Sequence, residues 1–215
     1  MEQARISQVR TGLRIEAVTI VWMLIEMAVS IGAGVAADSV LLIAFGLDSL
    51  VELVGGSVLL WRLCVEASGG DTARVERAEH RATWLVAICL GLLCIYVLAS
   101  AVFGLASRSK PQTSLAGIAI SGAAVIVMPY LAVTKRHVAM RIQSDALAAD
   151  AVNSITCAYM AGTVLLGLAA TALFGWWWAE PVAALLFLIW LVRETLEALE
   201  EARQSPGDED ILHER

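Results

Sequence analysis

Two carboxylates lie four residues apart in the stretch Phe45-Gly46-Leu47-Asp48-Ser49-Leu50-Val51-Glu52, which sits within a long apolar run. On an α-helix this spacing puts both side chains on one face, one turn apart. An ionisable group in hydrocarbon is costly unless it meets water, a partner or a metal ion, so the pair indicates a functional site. The alternative is a set of protonated carboxyls that bond to neighbouring helices and serve packing alone.

The composition around this stretch is that of a membrane protein. Of the 215 residues, 59% are hydrophobic and 17% are charged, and the mean hydropathy is +0.73. Runs of about 20 apolar residues are long enough to cross a bilayer as helices. Since the period-2 alternation of a barrel strand is absent, we predict an all-α membrane protein with six transmembrane helices. The predicted spans are Ile15–Val35, Val40–Cys64, Ala82–Ser107, Thr113–Val133, Ala146–Phe174 and Trp178–Val192.

The basic residues predict how these spans are oriented. Thirteen of the fifteen Lys and Arg residues fall on one side. Twelve lie before span one, after span six, or in the connections that follow spans two and four, and Arg62 lies at the end of span two. The second of these connections contributes Lys135, Arg136 and Arg141, whereas the opposite connections hold only Arg108 and Lys110. The positive-inside rule therefore places both termini in the cytoplasm.

The chain is predicted to hold one folded domain. We expect a cytoplasmic N-terminal segment at 1–14, the six-helix transmembrane domain at 15–199 and an acidic cytoplasmic tail at 200–215. The tail is too short to bury a core of its own. The expected location is the plasma membrane, as a multi-pass protein.

The same sequence argues against several classes of function. The basic residues form no patch that would bind nucleic acid. The four cysteines lie in or beside apolar runs without a CxxC pair, which argues against a disulfide framework. No histidine lies within a predicted span and no HExxH motif is present, so an intramembrane enzyme has no evident base.

Further acidic residues lie within the apolar runs. Asp38, which we expect to cap span two, and Asp145 and Glu180 lie near helix starts, where the helix dipole stabilises a carboxylate. Glu26 and Asp150 lie deeper in their spans. Glu26 is either a proton carrier or the partner of a polar group on span two or three.

Span five offers side chains that complement the first pair. Asp150, Asn153 and Cys157 are separated by three and four residues, so they line one helical face. Two helices that each present such a face are sufficient for a four-coordinate divalent cation. Oxygen ligands with one thiolate suit Zn²⁺ or a neighbouring transition ion better than Ca²⁺ or Mg²⁺. The alternative for Cys157 is a small core residue.

These motifs resemble those of the cation diffusion facilitator (cation efflux) superfamily over all six spans. That family carries an acidic or histidine pair flanking a serine in span two, and Asp48 and Glu52 stand in those ligand positions. Its span five shows Ala-Asp-Ala, a His three residues after that Asp and a further Asp four residues later. Ala149-Asp150-Ala151 is similar to this opening, and Asn153 and Cys157 occupy the two later positions. The chain is thus similar to a divergent branch for which the family's usual cytoplasmic C-terminal domain is not expected.

The resemblance implies a cation-efflux-like bundle that exports a divalent metal ion from the cytoplasm in exchange for protons. It implies Zn²⁺ first, with Co²⁺, Fe²⁺, Mn²⁺ and Cd²⁺ as alternatives, and a homodimer formed through the transmembrane helices. The ion is the substrate, and no permanently bound cofactor is expected. Asp150 is an accessory ligand or a relay in this scheme. The alternative, favoured by the changes at Asn153 and Cys157, is a non-transporting membrane scaffold or chaperone that kept the fold.

Overall fold

The computed structural model describes residues 2–68, 72–108, 112–142 and 145–204, and within these ranges the chain forms helices and no strands. This confirms the predicted all-α architecture. The segment 205–215, which is most of the predicted acidic tail, lies outside the described residues. The helices are α1 (Glu2–Ala37), α2 (Val40–Ser68), α3 (Thr72–Ser107), α4 (Leu115–Ile142), α5 (Asp145–Phe174) and α6 (Ala179–Gln204).

Several helices continue beyond the apolar runs that predict them. Helix α1 begins at Glu2, α3 begins at Thr72 and α4 ends at Ile142. A helix satisfies its own backbone hydrogen bonds in water as well as in lipid, so it need not end where the apolar run ends. The apolar runs therefore predict the number of helices but not where each helix begins or ends.

Helix α2 lies at the centre of the bundle. It packs against α1, α3, α5 and α6, and the bundle is completed by contacts of α1 with α4, α3 with α6, and α5 with both α4 and α6. Leu42, Phe45 and Asp48 of α2 are each 0% exposed. The helix face that carries the first carboxylate pair is therefore in the interior of the protein.

Three connections meet at one end of the bundle. The backbone N–H of Gln112, before α4, donates to the carbonyl oxygen of Ala37 at the end of α1 over 2.8 Å. The guanidinium of Arg108, after α3, lies over the ring of Trp177, 5.9 Å from its centroid, in the connection from α5 to α6. The predicted orientation requires these three connections to share one side of the membrane, and the structure brings them together.

The turn from α1 to α2 differs from the expectation for Asp38. This residue has a φ of 52°, which is a left-handed conformation that ends α1. Ser39 caps α2 instead, because its hydroxyl accepts a hydrogen bond from the backbone N–H of Leu42 over 3.3 Å. The Ser39 hydroxyl also donates to Oε2 of Glu180 over 2.5 Å, which fastens α2 to α6.

Two glycines allow the backbones of α1 and α2 to come close together. A Cβ on Gly34 would lie 2.8 Å from the backbone nitrogen of Ile43, and one on Gly46 would lie 3.0 Å from that of Ile31. A Cβ on Gly32 would meet no atom within 4 Å. Because backbone atoms cannot turn aside, Gly34 and Gly46 determine how closely the two helices pack.

Five of the six helices carry an apolar stretch long enough to cross a bilayer. Helix α6 is the exception, because Glu180 precedes its apolar stretch and Arg193 and Glu194 end it. Its inner side chains, such as Phe187 and Leu191, are nevertheless fully buried in the bundle. Large apolar side chains project outward from α1, α3, α4, α5 and α6, as expected of a surface that faces lipid.

Candidate functional site

Asp48 is the most isolated polar group on α2. Its side chain is 0% exposed, and neither carboxylate oxygen has a hydrogen-bond partner among the described residues. One helical turn further along, Oε1 of Glu52 accepts a hydrogen bond from Nδ2 of Asn153 on α5 over 3.2 Å. The other oxygen of Glu52 is buried and has no partner within the described ranges. The pair thus presents three unsatisfied oxygens to the bundle interior.

Glu26 joins α1 to this pair of helices. Its Oε1 accepts a hydrogen bond from the hydroxyl of Ser49 over 2.7 Å, and its Oε2 accepts one from Nε1 of Trp22 over 2.8 Å. This arrangement agrees with a role for Glu26 as the partner of a polar group on span two, because Ser49 lies on α2 between Asp48 and Glu52. The role of Glu26 as a proton carrier stays a prediction.

Helix α5 contributes Cys157 to the same region. This thiol is 0% exposed and lies 3.9 Å from Oε1 of Glu26, and the Glu52 carboxylate is also close to it. Asn153 and Cys157 therefore face α1 and α2 together, as their spacing predicts. The structure brings Glu26, Glu52, Asn153 and Cys157 into one cluster beside Asp48.

Glu194 on α6 also belongs to this region, although the sequence predicts it beyond the sixth span. It lies within electrostatic reach of both Asp48 and Glu52, and its Oε2 is buried with no partner in the part of the chain that the structure describes. At 1.5 Å per residue, Glu194 lies about 22 Å along α6 from Ala179, and Glu52 lies about 18 Å along α2 from Val40. The two carboxylates are therefore at similar depth.

The carboxylates of Asp48 and Glu52 and the thiol of Cys157 lie close together but do not form a coordination sphere in this conformation. Across the residues that the structure describes, no three His, Cys, Asp or Glu side chains converge with the geometry of a metal site. The side chains around Asp48 would therefore have to rearrange to coordinate a cation.

Asp150 does not join the cluster around Asp48. Its Oδ2 accepts a short hydrogen bond from Nζ of Lys135 on α4, and the same Nζ lies 3.3 Å from Oε2 of Glu16 on α1 and 3.4 Å from the hydroxyl of Ser154. Lys135 and Glu16 are both 0% exposed. These contacts occupy the carboxylate that the sequence predicts as an accessory ligand or relay.

The position of Lys135 corrects one part of the orientation argument. The sequence predicts Lys135 in a cytoplasmic connection, but it lies inside α4 and is fully buried. Without it, the predicted cytoplasmic count falls from thirteen to twelve basic residues, against two on the other side. The predicted orientation is therefore unchanged.

Comparison with known proteins supports the resemblance seen in the motifs. Residues 17–205 match the family model described as the cation efflux transmembrane domain. The chain belongs to the cation efflux family. An uncharacterized transporter, sll1263, of Synechocystis sp. (strain PCC 6803) is 27% identical over 194 residues, which cover 86% of this chain and 63% of the relative. The chain thus spans about 63% of the length of that relative.

Membership in the cation efflux family agrees with the six-helix bundle and its apolar surface. The protein is a multi-pass membrane protein, for which the plasma membrane is the usual location. The family model describes a cation efflux domain, and the relative is named as a transporter. The assignment of Asp48, Glu52, Asp150, Asn153 and Cys157 as metal ligands stays a prediction for this cation efflux domain.

Proposed function

We propose that the protein exports a divalent transition-metal cation from the cytoplasm, with Asp48 and Glu52 as its central ligands. The observation that supports this most is the Asp48 carboxylate, which is fully buried with both oxygens unpartnered among the described residues. A buried carboxylate without a hydrogen bond or counter-charge is costly. A transport site for a cation gives such a group a function that packing does not.

Asn153 and Cys157 are proposed to complete the site from α5. Asn153 already donates to Glu52, and Cys157 lies against Glu26 and Glu52. A small sliding of α5 along α2 would turn the amide oxygen and the sulfur toward a cation held by the two carboxylates. We expect this shift to accompany the change between inward-open and outward-open states.

The donor set favours a first-row transition ion. Carboxylate and amide oxygens with one thiolate suit Zn²⁺ first, and Co²⁺, Fe²⁺, Mn²⁺ and Cd²⁺ are alternatives. The absence of histidine from this set is a chemical reason to test the whole series rather than Zn²⁺ alone. If Cys157 is a ligand, Cys157→Ser should weaken transport of the thiophilic ions Zn²⁺ and Cd²⁺ more than that of Mn²⁺.

We further propose that protons drive the export. Metal binding requires deprotonated ligands, so protons and cations compete for the same oxygens. An inward proton gradient would then favour release of the cation on the far side and return of the protonated site. Glu26, hydrogen bonded to Ser49 between the two central carboxylates, is the proposed proton carrier.

A homodimer formed through the transmembrane helices is also proposed, on the family resemblance. The exposed apolar side chains of α3, including Leu92, Ile95 and Phe103, offer one face for such contact, although lipid would cover the same face in a monomer. The mass of the purified protein in detergent or nanodiscs tests this directly. A monomeric mass at all concentrations would exclude the dimer.

Transport is tested with purified protein in liposomes that contain a metal-sensitive dye. Wild-type protein should carry one or more of the five ions, and Asp48→Asn should reduce the flux to that of empty liposomes. Glu180→Gln is the matched control, because Glu180 is also a buried carboxylate but lies at the opposite end of α6 from the site. Absence of flux in wild-type protein for every ion would refute transport and favour the scaffold or chaperone alternative.

A further inference from the structure

Glu16, Lys135 and Asp150 form a buried group that we call the inner ion cluster. It joins α1, α4 and α5 through the contacts of Lys135 Nζ with both carboxylates. Helix α2 closes the fourth side, because a Cβ on Gly56 would lie 2.9 Å from Oε1 of Glu16. Four of the six helices therefore meet at the inner ion cluster.

The inner ion cluster lies between the central carboxylates and the end of the bundle at which α1 begins and α6 ends, which we call the termini side. Gly56 follows Glu52 by four residues on α2, and Asp150 precedes Asn153 by three residues on α5. These separations correspond to about 6 Å and about 4.5 Å along the helices. A cation that moves between the predicted cytoplasmic side and Asp48 would have to pass this cluster.

The charges of the inner ion cluster are unusual for a group that serves helix packing alone. Two carboxylates share one ammonium, and Oε1 of Glu16 is buried without a hydrogen-bond partner in the described part of the chain. A buried ion pair contributes little to stability, and well-packed apolar residues often do better in its place. The unpartnered oxygen and the surplus negative charge leave the cluster able to hold a cation other than the ammonium.

We propose that Lys135 is a tethered cation that closes access from the termini side to the bundle interior around Asp48. In this conformation its ammonium holds α1, α4 and α5 together through Glu16 and Asp150. A divalent cation that enters from the termini side takes the place of the ammonium between these two carboxylates and then passes to Asp48. The second step rests on the proposed transport function, whereas the closure by Lys135 does not.

Cys157 is a natural reporter of closure, since it is fully buried and lies seven residues, about 10 Å, beyond Asp150 along α5. The test uses a background in which Cys64, Cys89 and Cys94 are replaced by serine, so that only Cys157 reacts. Inside-out vesicles are treated with a membrane-impermeant methanethiosulfonate reagent that carries a quaternary ammonium. The labelling rate then measures access from the termini side and requires no metal flux.

Lys135→Met should raise this labelling rate at least tenfold, because it leaves two carboxylates that repel one another. Lys135→Arg, which keeps the positive charge, should label at the wild-type rate within about threefold. Equal rates for the Met and Arg variants would overturn the proposal. Circular dichroism and gel filtration establish that each variant is folded before its rate is compared.

A milder pair of variants keeps the proposal testable if Lys135→Met does not fold. Gly56→Ala pushes the flexible end of Glu16 away from the cluster, whereas a Cβ on Gly55 would meet no atom within 4 Å. We expect labelling of Cys157 to be at least threefold faster in Gly56→Ala than in Gly55→Ala. Identical rates in these two variants would also contradict closure by the inner ion cluster.

The replacement of the Lys135 ammonium by a divalent cation is tested separately from transport. In a protein that carries Asp48→Asn and Glu52→Gln, the central site is disabled, and calorimetric titration with Co²⁺ reports other sites. Adding Lys135→Met should tighten Co²⁺ binding at least tenfold, and adding Glu16→Gln to that variant should reverse the gain. Unchanged Co²⁺ binding on removal of Lys135 would refute this step, even if wild-type protein transports metal.

Discussion

Replacing Asp48 by valine should make the protein more stable while abolishing transport. The carboxylate is 0% exposed and neither oxygen has a partner among the described residues. Leaving a buried polar group unsatisfied costs about 1–3 kcal/mol. Valine is apolar and of comparable size, and its helix propensity is close to that of aspartate. We therefore expect Asp48→Val to raise the free energy of unfolding by about 1–3 kcal/mol.

Two further variants test whether the gain in stability comes from removing unpartnered carboxylate oxygens. Asp48→Asn keeps polar atoms in the same place, so its stability should remain near that of wild-type protein. Glu26→Leu should instead lose about 1–3 kcal/mol, because it leaves the indole N–H of Trp22 without its acceptor. The contrast between Asp48 and Glu26 follows from their hydrogen bonds, since both are fully buried.

The assay is reversible unfolding by sodium dodecyl sulfate in mixed micelles, followed by circular dichroism. The same preparations are reconstituted for flux measurements, so that stability and transport come from one batch. A loss of stability of 1 kcal/mol or more in Asp48→Val would refute the reasoning, as would an equal gain in Asp48→Asn. Either result would mean that the Asp48 oxygens are satisfied in the folded protein.

Three other predictions concern helix packing, capping and protons. Gly34→Ala should destabilise the protein by about 1–3 kcal/mol through a clash with the backbone of Ile43. Gly32→Ala should be neutral or slightly stabilising, and the unfolding midpoints of the two variants are compared. Ser39→Ala should cost about 1–2 kcal/mol, since it removes the cap of α2 and the partner of Glu180, and an unchanged midpoint would contradict both roles. The apparent affinity for the cation should fall as pH is lowered, because protons compete for the ligand oxygens. Flux titrations with the cation at several pH values measure this affinity. A pH-independent affinity would argue against exchange of the cation for protons.

The number and type of the helices could be predicted because the bilayer limits both. An apolar run near 20 residues must be a helix in lipid, and five of the helices carry such a run. The sixth run, Trp178–Val192, is shorter, and its helix buries inner side chains such as Phe187 in the bundle. Charge could not reveal where the helices end. Lys135 and Glu194 follow apolar runs and are therefore predicted outside the spans. Helices α4 and α6 nevertheless continue past them, which places Lys135 beside the buried Glu16 and Glu194 near Glu52.

The pairing of helices at the site was only partly predictable. The four-residue spacings place Asp48 with Glu52 and Asn153 with Cys157 on single faces, and the structure confirms that these faces are close. The partner of Asp150 was not predictable from spacing, because Lys135 lies on a different helix. A signal was nonetheless present, since a lone lysine in an apolar helix needs a buried counter-charge at matching depth.

The central claim is that Asp48 and Glu52 bind the transported cation, and anomalous scattering locates a bound metal directly. Crystals grown with Zn²⁺ or Co²⁺ should show a peak between α2 and α5, with carboxylate oxygens of both residues at about 2.0–2.2 Å from the ion. Asp48→Asn crystals should lack that peak. A metal bound elsewhere in wild-type crystals, with Asp48 and Glu52 outside its coordination sphere, would contradict the claim.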